Sequence, residues 1–496
     1  MNRPNLLYIH SDQHDPYVTG CYGDPVVQTP HLDSLAARGV LLRNVYCPSP
    51  ICVPSRMSVL TGRHPCENRV WTNTHVLDSG IPTLAHAMGA GGYRPVLVGR
   101  MHAVGPDQLH GYADRLVGDH GPNQIGCRGA DHGELTGTAG PHRVSLRKSG
   151  AGQSAYQVHD EDVTAAVVDV LNRTGVRKRA GEPAEPFSLS VGLMLPHQPF
   201  VARRDDYARY DGRVPPPRVV EAFSDALHPH IRMWRQQCDI IEVTEEEATR
   251  ARTAYWALVD RMDRMIGQML AALEANDLAE NTLIVYSSDH GEQAGEHGLW
   301  WKQTFYEHSA RVPAILCWPG SLPAGLTLDR VVSSLDLNAT MLDALDCPAL
   351  PDSRGRSLLP LIRDRDASWD DTAFSEFCLD ADGAGGPFAE EGVQQRMIRQ
   401  GDWKLNYYHG LPPQLFNLRE DPDELDDRSS DAACRHLLQD LTGQVLDGWE
   451  PDEVMRRMAA KRRDNTILSA WGRTVQPRDQ YRWNLLPQMD YLDPQR

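Results

Sequence analysis

The sequence lacks any excess of basic residues. Its 50 lysines and arginines are outnumbered by 67 aspartates and glutamates, so the formal net charge is −17. A protein that binds nucleic acid needs clustered Lys and Arg to neutralise phosphates, so this balance argues against a nucleic-acid partner. It leaves an anionic small-molecule substrate open, because the charges around a site decide the local field more than the total charge does.

Long hydrophobic runs and paired cysteines are also missing. No stretch approaches the roughly 20 apolar residues that cross a membrane, and residues 1–4 (MNRP) lead into a short apolar run without a basic and apolar leader. The ten cysteines are scattered singly, without the spacing of a zinc site or a disulfide framework. We therefore expect a cytoplasmic protein without a membrane partner, in which most cysteines fill the core.

Apolar runs and helical patterns alternate through the first three quarters of the chain. The predicted strands are 5–10, 94–98, 187–195, 282–286 and 312–316, and the predicted helices are 31–39, 54–60, 82–93, 160–172, 244–278 and 335–345. This alternation predicts an α/β domain over residues 1–368, with a large, mostly parallel sheet sandwiched by helices. Residues 119–156 are rich in Gly, His and Ser without periodicity, and we interpret them as a long surface loop.

The pattern changes near residue 370. Short strand-like stretches follow one another there without helical crossovers between them, which predicts a small antiparallel sheet. These stretches are 373–378, 395–408 and 414–418, and a helix at 432–448 would pack on them. We therefore assign residues 369–460 to a C-terminal subdomain and residues 461–496 to a tail.

A cysteine precedes a short predicted helix in residues 52–63 (CVPSRMSVLTGR). Pro54 suits the first turn of a helix, so Cys52 would lie at the positive end, beside unpaired backbone N–H groups and the guanidinium of Arg56. A buried structural thiol is the alternative for Cys52 taken alone, since free cysteines are often buried. Its neighbours Pro54 and Arg56 favour a site for an oxyanion.

Polar clusters follow four of the predicted strands, at the edge where open α/β sheets bind ligands. The clusters are residues 11–13 (SDQ), 99–102 (GRMH), 196–197 (PH) and 287–291 (SSDHG). Asp12 on its own would suit the cap of a turn. Together, the oxygens of Asp12, Gln13 and Asp289 and the imidazole of His290 indicate a site for a divalent cation.

Residues 52–63 resemble the signature of the type I sulfatases, within the alkaline phosphatase superfamily, and the Cys, Pro and Arg of that motif all match. In that family the cysteine is oxidised to formylglycine, whose aldehyde hydrate is the nucleophile. The resemblance thus implies a formylglycine made from Cys52 by a formylglycine-generating enzyme, one divalent metal and a small-molecule sulfate ester as substrate. It covers nearly the whole chain, including residues 399–404 (RQGDWK), and is weakest at 119–156 and beyond about 460.

The predicted metal ligands depart from the commonest sulfatase pattern. Gln13 and His290 stand where many sulfatases carry Asp and Asn or Gln, as they do in choline sulfatases and phosphonate monoester hydrolases. The resemblance implies calcium, and the imidazole ligand makes manganese an alternative. Residues 99–102 look like the family's Gly-Lys-x-His with Arg100 in place of Lys, and residues 105–111 (GPDQLHG) resemble the choline sulfatase branch.

The resemblance also implies roles for the remaining polar residues. Arg100 and Asn73 would bind the sulfate. His102 would contact the sulfate and the nucleophile and would take the proton that releases sulfate. His197 or Lys302 would protonate the leaving oxygen.

Two rival functions remain open. A phosphonate monoester or phosphodiester hydrolase uses the same Asp-Gln and Asp-His pairs, although that family generally lacks the basic residue and His of residues 99–102. An inactive, sulfate-binding homologue would need a broken catalytic position, and the only departure of that kind is Arg100.

The substrate itself is not decided by the sequence. Choline sulfate, a sulfated sugar and an aryl sulfate are all alternatives. Trp300, Trp301 or aromatic residues of the tail would hold a quaternary ammonium, and acidic residues such as Glu376 or Asp380 would contact a cation or sugar hydroxyls. The tail also makes a homo-oligomer a reasonable expectation.

Overall fold

The computed structural model describes residues 3–182, 185–381 and 392–494. The strands in these ranges are β1 Asn5–Asp12, β2 Val40–Tyr46, β3 Arg94–Gly99, β4 Asp114–Arg115, β5 Gly150–Gln153, β6 Phe187–Pro196, β7 Val201–Ala202, β8 Thr282–Ser288, β9 Arg311–Cys317, β10 Leu326–Ser333, β11 Thr372–Leu379, β12 Val393–Gln400, β13 Trp403–Tyr408, β14 Gln414–Asn417 and β15 Tyr491–Leu492. The α-helices are α1 Pro30–Arg38, α2 Cys52–Thr61, α3 Pro65–Asn68, α4 Leu84–Ala90, α5 Val144–Arg147, α6 Ala155–Arg179, α7 Arg204–Ala208, α8 Pro229–Gln237, α9 Glu245–Ala275, α10 Glu307–Ala310, α11 Ser334–Ala344, α12 Leu359–Arg363, α13 Arg435–Leu446 and α14 Pro451–Val475.

Eight strands form the main sheet, in the order β10-β2-β9-β8-β1-β6-β3-β4. Strand β9 runs antiparallel to both of its neighbours, and the other paired strands are parallel. The predicted α/β class with a mostly parallel sheet is therefore confirmed. Helices cover both faces, which is why the central strand β1 is buried along its whole length. Leu7 and Ile9 pack with the long helices α6 and α9, and Leu6 and Tyr8 pack with α2, α4 and α11 on the other face.

Several elements differ from the predicted ones. Strands β2 and β10 were not predicted. Helix α6 extends well beyond the predicted 160–172. The region 119–156 is not all loop: it contains α5 and β5, and β5 pairs with β15 from the end of the chain. In the described part of the chain, no helix is long and apolar enough to span a membrane. All ten cysteines are free, and five of them are buried.

Helix α14 runs across position 460, where the sequence placed the beginning of a tail. Only Val454, Met458 and Gly472 of its 25 residues are buried, so it has almost no apolar periodicity to detect. The division of the chain into domains stays a prediction.

The predicted C-terminal antiparallel sheet is confirmed, with the order β11-β12-β13-β14. The stretch predicted as one strand over 395–408 is a hairpin that turns at Gly401, whose φ of 54° lies in the left-handed region. Helix α13 packs on this sheet through Leu441 and Val445. Residues 382–391 of the predicted subdomain lie outside the described residues.

A buried ion cluster joins the C-terminal sheet to the main body. Lys404 Nζ on β13 lies 2.9 Å from Glu307 Oε1 on α10 and 2.5 Å from Glu424 Oε1. Burial raises the pKa of Glu307, but the charges of Lys404, Arg311 and Arg399 together outweigh it and lower that pKa to about 2. Lys404 is the cation that both buried carboxylates share, and Arg311 also lies near Glu307.

We expect Lys404→Met to destabilise the protein strongly, because it removes the cation that pairs with Glu424 and lies nearest to Glu307, and both carboxylates are buried. Breaking a buried pair in this way typically costs about 3–5 kcal/mol. Glu424→Gln is the matched control: it leaves the pair of Lys404 with Glu307 intact, so we expect a smaller loss. Urea unfolding of both variants measures the difference, and a Lys404→Met midpoint equal to that of the unmodified protein would contradict the expectation.

Candidate active site

Helix α2 begins at Cys52 and is buried at every position. The residue before it, Ile51, is extended and supplies no side-chain cap. Instead, Asn73 Oδ1 accepts a hydrogen bond of 2.9 Å from the backbone N–H of Val53, which satisfies one of the free donors of the first turn. Gly62, with φ of 70°, ends the helix in the left-handed region. Cys52 thus lies where the helix dipole favours negative charge, as the sequence predicted.

The Cys52 thiol is surrounded by charged and polar side chains. Its Sγ lies 3.2 Å from His290 Nε2, 3.2 Å from Lys302 Nζ and 3.6 Å from Asp12 Oδ1. Burial raises the pKa of this thiol, but the charges of Lys302 and His290 outweigh burial and hold it well below its ordinary value. The position is therefore built to carry a negatively charged group.

Arg56 orients the two carboxylates of the site. Its Nε donates to Asp289 Oδ2 at 2.8 Å, and a terminal nitrogen donates to Asp12 Oδ2 at 3.0 Å. The other two carboxylate oxygens lie 3.6 Å (Asp289 Oδ1) and 3.8 Å (Asp12 Oδ1) from His290 Nε2. With the side chain of Cys52, donor atoms of these groups all lie within 4.8 Å of one another. Two carboxylate oxygens and an imidazole nitrogen at this spacing fit a divalent cation.

Gln13, the fourth predicted metal ligand, lies in the same cluster with its side chain engaged by neighbours. Its carbonyl oxygen accepts a hydrogen bond of 2.5 Å from Lys302 Nζ, and its amide nitrogen donates to Gln198 Oε1 at 2.6 Å and to Glu292. Its backbone N–H donates to Asp289 Oδ1 at 3.0 Å. Burial raises the pKa of Glu292 to about 7. The contacts with Gln198 and Glu292 were not predicted, because no spacing pattern distinguishes either residue.

Lys302 and His197 form a hydrogen-bonded pair beside Cys52. Lys302 Nζ lies 2.9 Å from His197 Nε2, and His197 Nδ1 lies 2.5 Å from the Gln198 carbonyl oxygen. Burial and the neighbouring Lys302 charge lower the pKa of His197. An ammonium hydrogen-bonded to an imidazole, 3.2 Å from Sγ, is placed to give a proton to a group that leaves from an atom bound there.

Arg100 links the carboxylate cluster to His102. Its Nε donates to Asp12 Oδ2 at 2.6 Å, and a terminal nitrogen lies 2.9 Å from His102 Nδ1. Burial raises the pKa of Asp12, but Arg100 and Arg56 hold it well below its usual range. Asp119, which was not predicted, accepts from the His102 backbone N–H at 2.7 Å and pairs with Arg100. The arginine fork therefore bridges two carboxylates, a role that a lysine would fill less well.

A cavity of about 800 Å³ opens beside His102 and Asn73. Its walls come from residues 72–74, 102–104, 119–126 and one face of α14. The expectation that Trp300 and Trp301 border the substrate pocket is wrong, since both side chains are buried and neither lines this cavity.

All eleven predicted site residues lie around Cys52 or along the edge of this cavity. The residues that the sequence did not indicate are the supporting ones: Gln198, Glu292 and Asp119. Asp119 lies in residues 119–156, whose sequence has no periodicity. No local pattern there distinguishes an aspartate of the site from a solvent-exposed aspartate.

The chain is similar to known proteins along most of its length. The family profile described as Sulfatase matches residues 4–347, and one described as N-sulphoglucosamine sulphohydrolase, C-terminal matches residues 295–449. A choline-sulfatase of Rhizobium meliloti (strain 1021) is 32% identical over 475 residues, which cover 93% of this chain and 90% of that protein. Arylsulfatase K of Gallus gallus is 29% identical over 460 residues, 86% of this chain and 78% of that protein. The crystal structure of a phosphonate monoester hydrolase of Agrobacterium radiobacter aligns with a TM-score of 0.73 at 24% identity, covering 90% of this chain and 95% of that one.

Proposed function

The chain belongs to the sulfatase family and is a sulfuric ester hydrolase, and we propose that its nucleophile is a formylglycine made from Cys52. The observation that carries this proposal is the position of Sγ at the first residue of α2, 3.2 Å from both His290 Nε2 and Lys302 Nζ. A structural thiol lacks such neighbours: burial raises the pKa of Cys47, five residues earlier, whereas the pKa of Cys52 is lowered. Conversion would be carried out by a formylglycine-generating enzyme.

A hydrated formylglycine supplies two hydroxyls, one to attack the sulfur of the ester and one whose loss of a proton releases the sulfate. The chain's own residues serve both stages. Arg56 and the N-terminus of α2 favour negative charge at position 52. The backbone N–H of His102 donates to Asp119, and its Nδ1 accepts a hydrogen bond from Arg100 and is therefore the unprotonated ring nitrogen. His102 would take the proton of the second hydroxyl on this nitrogen. Arg100 and Asn73 would hold the sulfate oxygens.

The metal proposed for this site is calcium, with manganese as the alternative that the imidazole ligand allows. Asp12, Asp289 and His290 would hold the ion, with Gln13 as the fourth ligand. Bound there, it would supply positive charge that stabilises a deprotonated hydroxyl and the transferring group. Arg56 fixes both Oδ2 atoms, so that the Oδ1 atoms stay directed toward His290.

His197 or Lys302 would protonate the leaving alcohol, since both lie on the same side of Sγ and share one hydrogen bond. The substrate is proposed to be a small-molecule sulfate ester of the choline sulfate, sulfated sugar or aryl sulfate type. Phosphonate monoester or phosphodiester hydrolysis is the second candidate, because Gln13 and His290 also occur in that family's metal site. A cytoplasmic location and a homo-oligomer stay predictions.

Removal of the metal is expected to abolish sulfate release. Extended dialysis against a chelator should lower the rate by about 100-fold or more, because the positive charge that stabilises the deprotonated hydroxyl and the transferring group would be lost. Calcium should restore activity, and assays with matched sulfate and phosphonate esters would separate the two candidate functions. Full activity after chelation, with metal analysis showing an empty protein, would contradict the proposal. A higher kcat/KM for the phosphonate would favour the second candidate.

A further inference from the structure

The cavity beside His102 and Asn73 is larger than a small alkyl sulfate requires. Its volume of about 800 Å³ lies toward the upper end of typical ligand pockets. Of the 22 described residues that line it, 15 carry a side chain that forms hydrogen bonds, and none is Phe, Tyr or Trp. A quaternary ammonium is recognised by aromatic faces. The described lining therefore fits a ligand with many hydrogen-bonding groups better than it fits choline.

One wall of this cavity is a single face of helix α14. The lining residues of the helix are Arg462, Asn465, Thr466, Ser469 and Arg473. They occupy positions i, i+3, i+4, i+7 and i+11, so they lie on one side of the helix. Arg462 pairs with Asp380, and Arg473 donates to Ser469 Oγ at 2.7 Å. This face carries donors and acceptors along about three turns of the helix.

The wall is held in a fixed position relative to the catalytic residues. Gly472 of α14 and Gly126 of the neighbouring loop pack so closely that a Cβ on either would lie 2.2 Å from a backbone oxygen of the other segment. Asn465 Nδ2 donates to the Thr74 carbonyl oxygen at 3.3 Å, next to Asn73. The loop that contains Gly126 begins at Asp119, which holds His102 and Arg100. The helix face and the sulfate end of the site therefore belong to one packed unit.

We propose that this face of α14 selects the alcohol part of the substrate, and that this alcohol is a hydroxyl-rich unit of the size of a sugar. The inference rests on the proposed sulfatase function and adds the substrate class to it. Sulfate bound near Arg100 and His102 would leave the remainder of the ester in the cavity. There, the side chains of Asn465, Ser469 and Arg473 would pair with its hydroxyl and ring oxygens.

The test compares three substrates and three variants of the mature, metal-loaded enzyme. The substrates are 4-nitrophenyl sulfate, choline sulfate and a panel of monosulfated monosaccharides. Thr466→Trp places a bulky side chain in the cavity, and Arg473→Gln removes a charged donor with little change in shape. Ile467→Trp is the matched control, because Ile467 is 71% exposed and does not line the cavity.

We expect at least one sugar sulfate to exceed choline sulfate in kcat/KM by about tenfold or more. Thr466→Trp and Arg473→Gln should each lower kcat/KM for that sugar sulfate by about tenfold, mainly through KM, and leave 4-nitrophenyl sulfate within about twofold. Ile467→Trp should change neither. Choline sulfate as the best substrate, or variants that affect all substrates equally, would overturn the inference. Absence of turnover of every sulfate ester, the aryl one included, would instead overturn the proposed function and with it this inference.

Discussion

Replacing Cys52 with alanine is expected to lower the rate of sulfate release by about 10⁴-fold or more. Alanine offers no side chain for conversion to formylglycine, so the attacking group is lost while Lys302, His290 and Arg56 remain. Cys52 is buried and small, so the change should leave the fold intact. Initial rates of sulfate release, with unfolding curves recorded beside them, measure the effect.

Cys47→Ala is the matched control for this variant. Cys47 is also a buried free cysteine, five positions earlier, but it lies outside the cluster of charged groups. We expect it to retain activity within a few-fold. If Cys52→Ala kept a tenth or more of the activity, residue 52 would not supply the nucleophile.

Replacing Lys302 with alanine is expected to lower kcat/KM by about 10³-fold for an alkyl sulfate. The variant loses an ammonium 3.2 Å from Sγ and the hydrogen bond that it makes with His197. It also leaves the Gln13 carbonyl oxygen without its donor. An alkoxide is a poor leaving group, so the loss of a proton donor should affect its departure most.

Comparing two leaving groups distinguishes proton donation by Lys302 or His197 from stabilisation of negative charge by the same residues. For 4-nitrophenyl sulfate, whose phenolate leaves without a proton, Lys302→Ala should cost about 10- to 100-fold less than it costs for an alkyl sulfate. The corresponding His197→Ala comparison shows which partner donates. Equal losses for both substrates in both variants would exclude either residue as the acid and leave them a role in binding charge.

The local charge at the site contrasts with the composition of the whole chain. The protein has a net charge of −17, yet Arg56, Arg100 and Lys302 surround the nucleophile position. Arg56 and Arg100 pair with the buried carboxylate of Asp12 and hold its pKa low. The site therefore holds cations inside an acidic protein, so a negative total charge argues against nucleic acid more strongly than it argues against a sulfate ester.

The sequence predicted which polar residues come together, because these residues lie at strand ends. Apolar runs such as those of β1 and β8 are easily identified, and the polar residues after each, Asp12 and Asp289, must meet at one edge of a parallel sheet. The direction of β9 was not predictable in the same way, because an apolar run does not indicate whether its strand pairs parallel or antiparallel with its neighbours.

The supporting parts were predicted poorly for physical reasons. Helix α14 exposes most of its surface and buries only Val454, Met458 and Gly472, so it lacks the apolar stripe that marks a helix. Asp119 acts through a buried pair with Arg100 that depends on tertiary contacts alone. Trp300 and Trp301 precede Lys302 in the sequence, but both are packed into the core and neither lines the cavity.

The most direct test of the formylglycine proposal is a fragment mass spectrum of the tryptic peptide 44–56 (NVYCPSPICVPSR), from protein produced with a formylglycine-generating enzyme. The peptide contains both Cys47 and Cys52, so it carries its own control. We predict a loss of about 18 Da that fragment ions assign to Cys52, with Cys47 unchanged, in a preparation that releases sulfate from an ester. An unmodified Cys52 in an active preparation would contradict the account.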